Sequence, residues 1–327
     1  MTRAALVLTA GLGTRLRPLT DVRAKAAIPV AGQPMIHRII RALVAQGVDD
    51  LVLNLHHLPA TLTAVVGDGS DLGARVRYSW EPMILGSGGG PRLAQAIVGA
   101  RTFWIINGDT LTDVNMAALA AQHASSLARV TLALVPNREF MRYGGVRLDA
   151  DHRVVGFVRR GPPAEGSYHF IGVQLVDAGV FDVVGPGEVA SSIGGVYDAL
   201  IAAQPGAVGG FVSDARFFDV GTIADYWRTH EAFSATAAAN PAVSRRAAVD
   251  PTARIARSIL WDDVQVGAEA TIEQCIVTDG VIVPARATYR QAVLLNGPND
   301  TLLESPLNLE PEPEPNQNQN QNQNREL

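Results

Sequence analysis

The chain has 327 residues, 47% of them hydrophobic and 18% charged, with a net charge of −5. That composition suits a globular protein of one or two domains with a sizeable core, and it excludes a broad nucleic-acid or polyanion-binding face, so any phosphate site must be local. The single cysteine, Cys275, excludes an intramolecular disulfide and reads as a packing residue. No apolar run reaches the roughly 20 residues that cross a bilayer. A cytoplasmic protein without a membrane partner is expected.

Residues 4–8 form an apolar run long enough for one buried strand. A glycine-rich turn, Ala10-Gly11-Leu12-Gly13-Thr14, follows, then Arg15, Arg17 and Lys25. Glycines at a strand tip leave backbone N–H groups open to phosphate oxygens, and the basic side chains bring charge to the same anion. Two familiar phosphate motifs fail. Leu16 stands where a Rossmann fingerprint needs its third glycine, and no Gly-Lys-Ser/Thr is present for a P-loop.

Helical spacing over 34–47 precedes a second buried strand at 50–55, a helix at 59–66 and an alternating strand at 75–80. This β-α-β-α-β rhythm predicts a doubly wound, mostly parallel α/β sheet. After Glu81 come five small residues, Gly86-Ser87-Gly88-Gly89-Gly90, which let a planar ligand lie close to backbone, and a helix is expected over 91–98. The apolar strand 102–107 ends in Gly108-Asp109, where an acidic residue is placed to hold a divalent cation or to cap a turn. A helix over 115–128 and strands at 129–135, 153–158 and 168–176 come next. They are followed by a helix at 190–203 broken by Gly194-Gly195, strands at 208–212 and 216–220, and a helix at 225–239.

From Val249 the texture changes. Apolar residues fall six apart, as in Val249/Ile255, Leu260/Val266/Ile272 and Ile276/Ile282. Six-residue spacing suits a left-handed parallel β-helix with three hexads per coil, and about two to three coils fit. The expected domains are 1–240, 245–297 and a disordered low-complexity tail, 298–327, rich in Glu-Pro and Asn-Gln repeats.

The pattern G-x-G-T-R-L-R-P-L-T followed by K-x-x-x-P-V-A-G-x-P-M-I, about thirty positions in register, resembles the signature of sugar-1-phosphate nucleotidylyltransferases. The resemblance covers roughly residues 1–235 for catalysis and extends more loosely over 245–295. It implies a Rossmann-like nucleotidyltransferase domain in which Ala10, Gly11, Gly13, Thr14, Arg15 and Lys25 bind nucleotide. Glu81, Gly86, Ser87 and Gly88 match the base-recognising E-x-x-x-L-G-T-[AG]-G segment, with Ser87 in place of threonine. N-G-D and W-x-D-[IV]-G-T-P are the metal motifs, giving Asp109 and Asp219 as Mg²⁺ ligands; Phe217 and Ile223 replace the tryptophan and the proline. Arg15, Lys25, Asp109 and Asp219 make the catalytic set. Gly144 and Gly172 match sugar-side segments, with Phe170 where many members place asparagine. Arg159 and Arg160 stand where members carry the F-x-E-K-P lysine that grips the sugar phosphate, and His169 is read as structural.

The implied reaction joins an NTP to a sugar 1-phosphate with release of pyrophosphate. The nucleophile is already an anion, so positioning and charge neutralisation suffice. The hexapeptide part and R-L-R-P-L-T look like mannose-1-phosphate guanylyltransferases. AGQPMI, NLHHL, GDGS and the GSGGG loop look equally like N-acetylmuramate-1-phosphate uridylyltransferases, which lack the hexapeptide part. A regulatory subunit that senses nucleotide sugars is the non-enzyme alternative, against which the presence of all four catalytic residues counts. A homo-oligomer formed through the β-helix is the expected protein partner.

Overall fold

The computed structural model describes residues 2–234 and 242–309 and groups the chain into two compact units, Met1–Gly221 and Thr222–Leu327. The first unit opens with β1 (Ala4–Leu8), α1 (Leu19–Val22), the short pair β2 (Pro29–Val30) and β3 (Gln33–Pro34), α2 (Met35–Ala45), β4 (Asp50–Leu55), α3 (Pro59–Val66) and β5 (Arg75–Trp80). It continues with α4 (Gly86–Val98), β6 (Thr102–Asn107), β7 (Thr110–Thr112), α5 (Met116–Ser125), β8 (Val130–Pro136), β9 (Gly145–Leu148) and β10 (Val154–Val158). It closes with β11 (Tyr168–Asp177), α6 (Tyr197–Ala203), β12 (Val208–Val212) and β13 (Phe217–Asp219).

The main sheet runs β10-β9-β11-β6-β1-β4-β5, with β8 pairing both β11 and β12. Strands β6, β1, β4 and β5 are parallel, and β11 turns antiparallel against β6 and β8. This is the expected Rossmann-like α/β sheet with an antiparallel extension beyond β6. Its central strands read as unbroken apolar runs because parallel strands are covered on both faces. Phe103, Trp104, Ile105 and Ile106 of β6 are each no more than 3% exposed. Helix α4 packs on β1, β4 and β5, where Ala94 and Val98 join Leu6, Val52, Phe103 and Ile105 in one core. The parallel register brings Thr9, His56, Glu81 and Gly108, the residues just past these strands, to one edge of the sheet.

Two helices of the first unit depart from expectation. Helix α4 starts at Gly86 and not at residue 91, so the glycine run is its first turn. The expected helix over 190–203 is regular only as α6. Gly194 sits at φ +81°, its N–H held by Asp198 Oδ2 at 2.7 Å, and residues 190–192 instead lie against the start of α4.

The second unit begins with α7 (Ile223–Phe233), two residues earlier than expected, because Thr222 and Asp225 form a reciprocal cap around Ile223. The part of the expected helix beyond residue 234 lies outside the described residues. A parallel β-helix follows: β14 (Ala242–Val243), β17 (Ile259–Leu260), β20 (Ile276–Val277) and β23 (Ala292–Asn296) stack on one side. β15 (Ala248–Val249), β18 (Gln265–Val266) and β21 (Ile282–Val283) form the second side, and β16 (Arg254–Ala256), β19 (Thr271–Glu273) and β22 (Thr288–Arg290) the third.

The coil is 17 residues, not three full hexads, as the register Ala242↔Ile259↔Ile276↔Val293 shows. One corner in three is a residue short. The short corner recurs in every coil, so the inward positions step from Ile255 to Leu260 and from Ile272 to Val277: Val277 and Val283 fill the core while Ile282 is 60% exposed, which corrects the Ile276/Ile282 pairing. Corner residues Arg257, Asp263, Glu269, Gln274, Arg286 and Gln291 all take positive φ, a conformation held by the stacked coils around them. The expected tail also needs correction. Leu302–Pro306 forms β24, antiparallel on β23, which covers a strand edge that would otherwise stay open. Residues 310–327 of that tail lie outside the described residues.

Candidate active site at the strand tips

The turn after β1 is built around Gly13. Its φ is +63°, and a Cβ there would sit 2.7 Å from Thr20 Cγ2, so both backbone and space demand glycine. The Thr20 hydroxyl donates to the Gly13 carbonyl at 2.9 Å, and Leu16 N–H donates to the same oxygen at 2.9 Å. Gly11, Thr14 and Arg15 are exposed beside buried Ala10 and Leu16. Arg15 makes no ion pair or hydrogen bond among the described residues, whereas Arg17 is matched with Asp21 at 3.2 Å.

Lys25 Nζ donates to Asp109 Oδ2 at 2.6 Å, with the two side chains 14% and 31% exposed. Gly108 places Asp109: a Cβ at 108 would lie 2.5 Å from the Leu8 carbonyl, so only glycine lets the two strand tips pass this closely. Asp219 reaches the same place from the far end of the unit. β13 pairs antiparallel with β7, setting Asp219 opposite Thr110, and Val220 N–H donates to the Asp109 carbonyl at 3.0 Å. Two carboxylates on paired strands are a hard-oxygen donor set suited to Mg²⁺, and the ammonium already seated on Asp109 shows that the position accepts a cation. Among the described residues no cluster of three or more potential metal ligands occurs, so solvent and substrate oxygens would complete such a site.

The glycine run is shaped by the protein's own chain. Cβ atoms at Gly86, Gly88 and Gly89 would fall 2.6, 3.1 and 2.3 Å from backbone of Ala190 and Glu188. Gly88 and Gly89 N–H both donate to the Ala190 carbonyl, at 2.7 and 3.3 Å, and Ser87 Oγ accepts from Ser192 N–H at 2.9 Å. The Gly88 amide is therefore engaged within the protein. Among the described residues the Gly86 and Ser87 amides at the α4 N-terminus have no hydrogen-bond partner, and the helix dipole there favours an anion or a carbonyl. Glu81 is likewise engaged within the protein. It is fully buried, with Oε1 accepting from Asn54 Nδ2 and Oε2 from Leu85 N–H.

On the antiparallel side, a Cβ at Gly144 would meet the Val158 carbonyl at 3.1 Å, which sets this glycine against the strand end that carries Arg159 and Arg160. Both arginines are exposed and unpaired among the described residues. Gly172, at φ +75°, makes room for Asn107, whose side chain would lie 2.8 Å from a Cβ. A cavity of about 380 Å³ adjoins β13, lined by Asn137, Tyr143, His169, Arg216 and Phe217 among others. None of the expected site residues lines it. Tyr143 and His169 stack at 4.1 Å, and Phe217 lies 5.0 Å from the imidazole. Burial pushes the His169 pKa down to about 4, so the ring is neutral near pH 7, consistent with a structural role. Asn54 and the 188–192 segment were not anticipated from sequence. Asn54 carried two signals, a polar residue near the end of an apolar strand and the first position of the NLHHL segment, and neither pointed to its partners.

Residues 4–236 match the model of the nucleotidyl transferase family, and residues 231–293 match a GlmU-like C-terminal hexapeptide model. A mannose-1-phosphate guanylyltransferase from Mycobacterium tuberculosis is 30% identical over 296 residues, covering 82% of each chain. An N-acetylmuramate alpha-1-phosphate uridylyltransferase from Neisseria meningitidis is 36% identical over 190 residues, covering 57% of this chain and 80% of the relative. Among solved structures, HddC from Yersinia pseudotuberculosis superposes with a TM-score of 0.61 at 23% identity, over 70% of this chain and 98% of that one, a likeness of fold.

Proposed function

This chain belongs to the nucleotidyl transferase family and is a sugar-1-phosphate nucleotidylyltransferase, and from that premise we propose that it makes GDP-mannose from GTP and mannose 1-phosphate. The observation that carries the substrate assignment is the extent of the mannose-enzyme match, which reaches past the catalytic part into the repeat region. Uridylyl transfer to N-acetylmuramate 1-phosphate is the second reading, favoured by the higher identity over a shorter span.

In the proposed mechanism Arg15, exposed and unpaired among the described residues, takes the leaving pyrophosphate. Lys25 bridges toward the α-phosphate. Asp109 and Asp219 would hold Mg²⁺, which when bound supplies positive charge to phosphate oxygens. The open amides of Gly86 and Ser87 receive the base, and the amides around Gly11 and Gly13 the phosphates. Arg159 and Arg160 take the sugar phosphate beside Gly144 and Gly172. The sugar-phosphate oxygen attacks the α-phosphorus in line, so no side chain acts as a base. Dependence on free NTP puts the reaction in the cytoplasm, and the repeat region supports a homo-oligomer. A pyrophosphate-release screen of four NTPs against a panel of sugar 1-phosphates tests the assignment: the GTP and mannose 1-phosphate pair should be fastest. A faster UTP and N-acetylmuramate 1-phosphate pair would replace it.

A further inference from the structure

Glu81 is a buried carboxylate with no basic side chain paired to it among the described residues. Such a group is costly unless its oxygens are well used. Here Oε1 accepts from Asn54 Nδ2 at 2.7 Å and Oε2 from Leu85 N–H at 2.9 Å. Asn54 Oδ1 in turn accepts Thr9 N–H at 2.6 Å, and the Thr9 hydroxyl donates to the Asn54 carbonyl. The amide orientation of Asn54 is unambiguous, because its nitrogen meets an acceptor-only carboxylate and its oxygen a donor-only N–H. Helix α4 is seated on the same network, since a Cβ at Gly90 would fall 2.7 Å from Glu81 Oε1 and 3.2 Å from Asn54 Nδ2.

Thr9 and Leu85 are the residues from which two ligand-binding stretches start. The phosphate turn begins at Ala10, one residue after Thr9. Helix α4, with its open amides, begins one residue after Leu85. We propose that Glu81 is a positioning residue which, through Asn54, locks the phosphate turn and the first turn of α4 in one geometry, so that triphosphate and base of a single NTP are bound as a unit. The proposal rests on the reading that an NTP occupies these strand tips.

Hydrogen-bond parity makes it testable. In Glu81→Gln the side chain still accepts from Leu85 but presents a donor to the Asn54 donor, and flipping Asn54 only moves the clash to Thr9. In Asn54→Asp two carboxylate oxygens face each other. In the exchange double variant, Asn54→Asp with Glu81→Gln, every pairing is restored with the charge moved one residue along the relay. Each single variant should weaken Mg-GTP or Mg-UTP binding, whichever the wild type binds, by about ten- to a hundredfold, leaving KM for the sugar 1-phosphate unchanged. Amide exchange at Thr9 and Leu85 should rise in the singles. The double variant should recover both readouts to within about threefold. Singles that bind as the wild type does, or a double that melts like the wild type yet binds tenfold worse, overturn the lock. If a single variant does not fold, the double decides alone. A wild type that binds neither nucleotide overturns the functional reading together with the lock.

Discussion

Asp109→Asn separates the chemical role of this residue from its structural one. The Lys25 to Asp109 contact, at 2.6 Å between partly buried side chains, is charge-assisted and worth about 1.5–3 kcal/mol at most, less where solvent screens it. The amide still offers an oxygen to Lys25, and removing one of two neighbouring carboxylates relieves repulsion with Asp219. Unfolding free energy should therefore fall by about 1 kcal/mol or less, a melting shift of a few degrees. Catalysis should suffer far more. If Asp109 and Asp219 share Mg²⁺, the amide substitution should lower turnover at least about a hundredfold, or about 2.7 kcal/mol of transition-state stabilisation. The assay is pyrophosphate release at saturating Mg²⁺, read beside a thermal melt. Lys25→Met in both backgrounds closes a cycle. Because the two residues share one contact, their effects on melting should couple rather than add. Turnover within tenfold of wild type would refute the metal assignment, and zero coupling would refute the ion pair.

Arg159→Ala and Arg160→Ala should raise KM for the sugar 1-phosphate by about ten- to a hundredfold and leave KM for the NTP unchanged; if neither does so, the pair is a solvated turn. Truncation after Ala239 should lower the oligomeric state seen by light scattering, and an unchanged subunit number would remove that role from the repeats. For His169 the folded pKa lies below the unfolded value near 6.5, so its stabilisation is fully present above about pH 6.5 and is lost as the pH falls toward 4. His169→Phe should flatten the acid limb of the stability curve by up to about 3 kcal/mol; an unaltered limb in urea melts at pH 7 and pH 4.5 would show that the ring titrates alike in both states.

By itself the sequence determined the central strands, because a strand buried on both faces must be apolar throughout, as Phe103 to Ile106 are. It determined the turn after β1 through Gly13, whose positive φ is a local demand. It also determined that Asp109 follows one strand signal and that Asp219 lies within another. Tertiary structure decided that they meet, through the pairing of β7 with β13 across about a hundred residues of chain. It decided why Gly86 to Gly90 are small. Glycine is a poor helix former, so these residues read locally as a ligand loop, yet three of them make room for backbone at Glu188 and Ala190 and Gly90 for Glu81. It put Glu81 in the interior, because burial depends on what packs above a residue and not on its neighbours in sequence. And it set the β-helix coil at 17 residues. Hexad spacing is a property of each side, whereas the length of a coil is closed at its corners, and one short corner is enough to turn Ile282 outward and Val283 inward.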